Sequence, residues 1–198
     1  MTTALLLSGG MDSVAIAWWL RPDYAFTIDY GQKPAGGEIR AASAVAADLG
    51  IVHEVLRCDV AALGSGDLAG RPADPQAPVR EWWPFRNQLL VTVAGMRAVG
   101  LGASRLLIGA LRTDGLHADG TPAFVTALDG LLALQEGGLR LEAPAIGFDG
   151  PELIVQSGIP MEVLAWSHSC HVSEYACGEC RGCRKHYETL QALGRDPY

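Results

Sequence analysis

No stretch of the chain approaches the roughly 18 consecutive apolar residues of a membrane-spanning helix. The short apolar run near its start, Ala4 to Leu7, has neither a basic leader nor a cleavage-like site around it. The expectation is therefore a soluble protein of the cytoplasm, with no membrane partner. Positive charge is also scarce: 15 Lys and Arg stand against 22 Asp and Glu, for a formal net charge of -7. That balance argues against a broad basic surface for direct nucleic-acid binding and leaves small anionic substrates open. There is no internal repeat and no low-complexity block. Outside one segment cysteine is almost missing: Cys58 stands alone, while the other four fall between Cys170 and Cys183. In a chain without an export signal, such crowding points to a metal or redox site before structural disulfides.

What is present suits one domain with a small appendage. Of 198 residues, 49% are apolar, enough for a substantial core. Strand-like runs at Ala4–Leu7, Ala25–Asp29 and Val52–Arg57 alternate with helix-like stretches at Asp12–Leu20 and Gly37–Leu49, the pattern of a parallel sheet with helices on both faces. A segment rich in Gly, Pro and Ala, Leu63 to Pro84, interrupts it and is expected to be either a loop of low order or a functional lid. A helix from about Asn87 to Val99, a buried strand at Arg105–Gly109 and a helix at Ala123–Leu134 follow. In open sheets of this kind ligands sit beyond the carboxyl ends of the strands, where Ser8–Ser13, Asp29–Gln32 and Gly109–Asp119 would lie. The chain divides into an α/β domain at residues 1–165 and a module at 166–198, whose stretch from Trp166 to Cys183 has no periodicity and needs whatever its cysteines bind; a closing helix ends it.

Leu7-Ser8-Gly9-Gly10-Met11-Asp12-Ser13 puts two hydroxyls, two glycines and an acid between the first strand and the first helix. Glycines let backbone N–H groups approach an anion, and a helix N-terminus adds partial positive charge, so a phosphate is the natural ligand. The loop has neither the Gly-Lys-Ser/Thr of a Walker A site nor the Gly-x-Gly-x-x-Gly of a dinucleotide fold. A plain strand-to-helix turn capped by Asp12 or Ser13 is the competing reading. At the other end, Cys177-Gly178-Glu179-Cys180-Arg181-Gly182-Cys183, with Cys170 upstream, supplies four thiols for a tetrahedral Zn²⁺ site. An Fe–S cluster and a redox pair are the other options. His168, His171 and His186 flank the cluster as supporting or surface groups, and Cys58 reads as a small core residue.

Ser-Gly-Gly-x-Asp-Ser after the first strand resembles the signature of the PP-loop (N-type) ATP pyrophosphatases. That resemblance implies a Rossmann-like, adenine nucleotide alpha hydrolase-like sheet, cleavage of ATP between its α and β phosphates, Mg²⁺ as counter-ion, and a pyrophosphate grip by Ser8, Gly9, Gly10, Asp12 and Ser13. With Asp29-Tyr30-Gly31-Gln32 and Glu38, Pro84-Phe85-Arg86-Asn87, the Asp114 to Phe124 region, Ser169-Cys170 and the terminal cysteines, the whole chain looks like the 7-cyano-7-deazaguanine synthase (QueC) family. This family adenylates 7-carboxy-7-deazaguanine with ATP and passes it to ammonia, giving an amide and then a nitrile.

By that resemblance Ser8, Asp12, Ser13 and Arg86 are catalytic, and the nucleotide is held by Leu7 to Ser13 with Tyr30, Gly31 and Gln32. The deazaguanine would meet Arg86, Asn87, Asp114, Asp119 and Phe124, with Asp119 accepting from its N–H edge, and Cys170, Cys177, Cys180 and Cys183 would hold Zn²⁺. The sequence departs from the family in three places. Lys33-Pro34-Ala35-Gly36-Gly37 stands where a His is usual, and Ser169-Cys170-His171 replaces Ser-Cys-Tyr. Where the substrate loop usually reads Tyr-Pro-Asp-Cys-Arg, this chain has His117-Ala118-Asp119-Gly120-Thr121, and Thr121 is no substitute for a bidentate cation. The divergence leaves room for a defence-type ligase that joins the activated deazaguanine to a protein amine, as QueC-like proteins of antiphage systems suggest, or for a nucleotide sensor without turnover. A homodimer is left open.

Overall fold

In the computed structural model, which describes residues 1–196, five strands form a single parallel sheet in the order β3-β2-β1-β4-β5. The elements run β1 (Thr3–Leu6), α1 (Met11–Leu20), β2 (Tyr24–Asp29), α2 (Ala35–Leu49), β3 (Val52–Arg57), α3 (Gly66–Ala69), α4 (Arg86–Gly100) and β4 (Arg105–Leu107). They continue with α5 (Pro122–Ala133), β5 (Arg140–Glu142), α6 (Gly150–Ser157), α7 (Met161–Leu164) and α8 (Arg181–Ala192). The strands and helices expected in the first half therefore form, with ends shifted by a residue or two.

Alternation along the strands divides the core into two. Leu5, Leu7, Ala25 and Leu107 turn to one face, where Val14 and Ile16 of α1, Val45 of α2, Leu153 of α6 and Leu190 of α8 cover them. Ala4, Phe26, Ile28 and Leu106 turn to the other, against Val91 and Ala94 of α4 and Leu128 of α5. Phe26, fully buried, alone contributes on the order of 2 kcal/mol. Because Leu190 packs into the first of these cores, the closing helix is anchored to the α/β body.

The segment from Leu63 to Pro84, expected to be loose or a lid, is seated. Leu68, Glu81 and Trp83 are buried, and the Trp83 indole meets the Tyr30 ring edge to face at 4.9 Å. β5, α6 and α7 were not foreseen. The strand is three residues long with Leu141 its one buried side chain, and Arg105 of β4 ties it down through a bidentate pair with Glu142 at 2.7 and 2.5 Å. Cys58, expected in the core, is half-buried just past β3. Among the described residues no helix is long and apolar enough to cross a membrane.

Candidate active site

At the carboxyl edge of the sheet the chain leaves β1, pairs once more through Leu7 N–H to the Phe26 carbonyl at 2.8 Å, and turns into α1 through Ser8-Gly9-Gly10. The two glycines do different jobs. Gly9 has φ +77°, and a Cβ there would stand 2.6 Å from the Glu38 carbonyl oxygen and 2.9 Å from the Ala41 Cβ. Its lack of a side chain is what lets α2 pack against the loop. Gly10 has room for a Cβ and instead leaves the helix start open toward the cavity. Ser8 and Ser13 hold their hydroxyls 3.1 Å apart, Gly10 N–H donates to Ser8 Oγ at 3.3 Å, and Ser13 Oγ donates to the Gly10 carbonyl at 3.0 Å. Two hydroxyls are thus fixed beside the N-terminus of a ten-residue helix, an arrangement suited to an anion.

A cavity of about 320 Å³ opens on this loop, at the lower end of ligand-sized clefts. It brings together Leu7, Ser8, Gly10, Met11, Asp12 and Ser13 with Tyr30, Arg86, Asn87 and Asp114, residues spread over more than half the chain. The remaining expected residues stand behind its walls. Gly31 abuts Ala61. Buried Gln32 is a brace, its amide donating to Glu38 Oε2 at 2.7 Å and to the Ile28 carbonyl at 3.0 Å while its oxygen accepts from Tyr30 N–H at 2.9 Å. Desolvation pushes the Glu38 carboxyl at the cavity up to about 7. Asp119 Oδ2 accepts the Asn87 N–H at 3.0 Å and its carbonyl accepts the Asn87 amide at 2.8 Å, so Asp119 fixes the start of α4. Phe124, on α5 and half-buried, packs against the core, and Thr121 caps that helix by accepting Phe124 N–H at 3.3 Å.

The four C-terminal cysteines converge: their Sγ atoms lie within 4.8 Å of one another, and the pairs Cys177–Cys183 and Cys170–Cys180 are each 3.9 Å apart. Tetrahedral Zn–S bonds of about 2.3 Å would put thiolates about 3.8 Å apart, so the donor set fits a metal ion. Backbone N–H groups of His171, Cys180 and Cys183 already donate to the sulfurs of Cys180 and Cys177 at 3.3 to 3.5 Å, which favours thiolates. Burial pushes the Cys183 thiol up to about 12, a cost that a bound cation removes.

This module also builds the cavity's far wall, which its sequence did not suggest. Arg181, Lys185 and Thr189, spaced by four along α8, face inward together with Gly182 and His186. Lys185 Nζ donates to Asp12 Oδ2 at 3.0 Å and stands 3.7 Å from Asp114 Oδ1. Burial raises the Asp12 carboxyl despite this ammonium. Arg181 pairs with Glu81, which His117 also approaches at 3.7 Å; burial opposes the Glu81 charge, but His117, its own backbone N–H and Arg181 outweigh it and hold the carboxyl at about 2. His168, His171 and His186, expected in the background, line the cavity. His168 and His186 are tied to the Ser173 carbonyl at 3.1 Å and Ser169 Oγ at 3.0 Å, whereas His171 Nδ1 is buried without a protein partner. A larger cleft of about 850 Å³ lies behind Glu81, Asp114, Arg181 and Lys185, which border both spaces.

The family model described as queuosine biosynthesis protein QueC matches residues 2–194. The protein named 7-cyano-7-deazaguanine synthase of Desulforudis audaxviator is 35% identical, the alignment covering 98% of each chain. The one of the same name in Acidobacterium capsulatum is 33% identical over 97% of this chain and 94% of its own. Among solved structures, the U34-tRNA thiolase NcsA from Methanococcus maripaludis with its [4Fe-4S] cluster superposes with a TM-score of 0.57 at 16% identity. That match covers 98% of this chain but only 65% of the thiolase, and at such identity it speaks for the fold alone.

Proposed function

Because this chain belongs to the QueC family, we infer that it is an ATP-dependent carbon–nitrogen ligase that adenylates a 7-carboxy-7-deazaguanine-type acid and transfers the acyl group to ammonia. The amide and then the nitrile are the expected products. The observation that carries the reading is the end-to-end match to relatives named for this synthesis in a chain whose Ser8–Ser13 loop faces a ligand-sized cavity.

In the adenylation step an oxygen of the substrate carboxylate bonds to the α-phosphorus, the bond to the bridging oxygen breaks, and the electron pair leaves with pyrophosphate. The N–H groups at the start of α1 and the hydroxyls of Ser8 and Ser13 stabilise that departing charge without reorganising. Arg86 and Asn87 orient the acid within the cavity, and Asp119, behind its wall, holds Asn87 and the start of α4 in place. Bound Mg²⁺ would neutralise phosphate charge, and the oxygen donors Asp12 and Asp114 fit it. Of the possible metals, Zn²⁺ is the one we assign to the four cysteines, as a structural ion that closes the module. Thiolates of this kind stay reduced in the cytoplasm, the location we assign.

The deciding experiment is incubation with 7-carboxy-7-deazaguanine, ATP, Mg²⁺ and ammonia, with mass spectrometry of small molecules and of the protein. AMP, pyrophosphate and a cyano product are expected. Release of ADP and phosphate alone, or the appearance of a deazaguanine–protein adduct in place of the nitrile, would overturn the reading. The relatives' names favour neither a protein acceptor nor a sensor without turnover.

A further inference from the structure

The phosphate loop lies at the start of the chain, yet the cation in contact with it comes from near the end. Lys185 extends from α8, two residues beyond Cys183, and donates to Asp12 within the loop itself at 3.0 Å. Its second carboxylate, Asp114, is at 3.7 Å, too far for a good hydrogen bond. An ammonium has three donors, so this one retains hydrogen-bonding capacity beside the cavity that it lines with Ser8, Gly10 and Ser13, and its side chain is 42% exposed. Arg181, one turn earlier, is committed to Glu81. Among the described residues, Lys185 is the cation whose ion-pair partner belongs to the glycine loop.

We propose that Lys185 is a catalytic residue of the adenylation step, leaving Asp12 to bind the phosphate chain of ATP and to hold the pyrophosphate as it departs. This rests on the function proposed above. As the α-phosphorus takes the substrate oxygen and its bond to the bridging oxygen breaks, the electron pair that leaves with pyrophosphate accumulates beside Lys185. The ammonium balances that charge and no proton has to move. A polyphosphate carries more charge than one carboxylate, and the flexible stem of a lysine lets its head change partners where an arginine fork is less free. The cysteine module then has a reason to be joined to this domain: it holds α8, and α8 carries the cation.

The chain has two lysines, Lys33 and Lys185, so the wild-type protein provides its own control. Acetylation with an N-hydroxysuccinimide ester, read by peptide mass spectrometry, is expected to slow at least tenfold at Lys185 when Mg²⁺ and pyrophosphate are added, with Lys33 unchanged. Lys185→Met should fold with the wild-type melting temperature and bind Mg²⁺-pyrophosphate at least tenfold more weakly. Its acid-dependent ATP–pyrophosphate exchange should fall about 100-fold, with partial recovery in Lys185→Arg. Exchange within threefold of wild type in Lys185→Met would overturn the proposal, and if that variant fails to fold, absence of protection at Lys185 would do the same. Loss of acid-dependent exchange in the wild type, with pyrophosphate binding still dependent on Lys185, would instead defeat the functional reading and leave the phosphate contact standing.

Discussion

The glycine loop and the cysteine module contribute to the same cavity but are held by different means. The loop follows a strand whose Leu5, and Leu7 just past its end, are completely buried, and α1 behind it buries Val14, Ala15, Ile16 and Ala17 just as fully. Hydrophobic packing behind it, with short hydrogen bonds within the loop, secures it. The module's own buried cluster is Cys170, Cys180 and Cys183 with Tyr187 against them, too little apolar surface to order a loop. The loop presents backbone N–H groups and hydroxyls, fixed dipoles at short range. The module presents long cations, Arg181 and Lys185, aimed by a helix. One wall is rigid by packing and the other depends on what its thiols bind.

The sharpest break in that comparison is on the module's side. Cys180→Ser is expected to lose the metal, loosen the first turns of α8 that carry Arg181 and Lys185 while Leu190 keeps its end on the core, and abolish turnover, since a structural zinc supplies on the order of 10 kcal/mol to its fold. Elemental analysis should find one zinc per wild-type chain and none in the variant; iron in place of zinc, or a folded, active variant without metal, would reverse the contrast. Next in size is Asp12→Ala, expected to keep the melting temperature and lose about 100-fold in ATP–pyrophosphate exchange. A large loss of stability there would show that the loop, too, relies on its polar contacts.

A smaller effect separates the two glycines. Gly9→Ala must push α2 away and strain a left-handed backbone, at a cost of roughly 2 kcal/mol in a urea titration, whereas Gly10→Ala should unfold like the wild type and change nucleotide affinity instead. The smallest effect is on pH. The folded Glu38 carboxyl is raised to about 7 by burial above its unfolded value near 4.5. Its contribution is therefore full below about pH 4.5 and lost as pH rises through 7. Glu38→Gln removes this, so the variant should gain about 2–3 kcal/mol more over wild type at pH 8 than at pH 5. Parallel stability curves from pH 5 to 8 would show that Glu38 does not titrate in this range.

Strands and long helices were readable where residue preference and local pattern sufficed: Val52–Arg57 forms with the bounds its sequence suggests, although none of its side chains is fully buried. β5 escaped because three residues carry no period. α6 did leave a signal, the capping box of Asp149 and Glu152 around Pro151. The Leu63 to Pro84 segment looked loose from composition, which counts glycines and prolines and is blind to a buried Trp83 against Tyr30. Gly9 and Gly10 are neighbours with one residue type between them, and only the approach of α2 distinguishes their tasks.

By itself the sequence determined the kind of chemistry here, because a glycine loop suited to an anion and a four-thiol cluster are each written within a dozen or so consecutive residues whose spacing sets their geometry. The family resemblance rested on such local words in their order along the chain. What only the tertiary structure decided is which distant groups share a space. Asp12 and Lys185 meet across nearly the whole chain, the three histidines turn into the cavity, and Asp119 is drawn to the start of α4. Such meetings depend on how helices pack on a sheet, a property of the whole core that no single segment encodes.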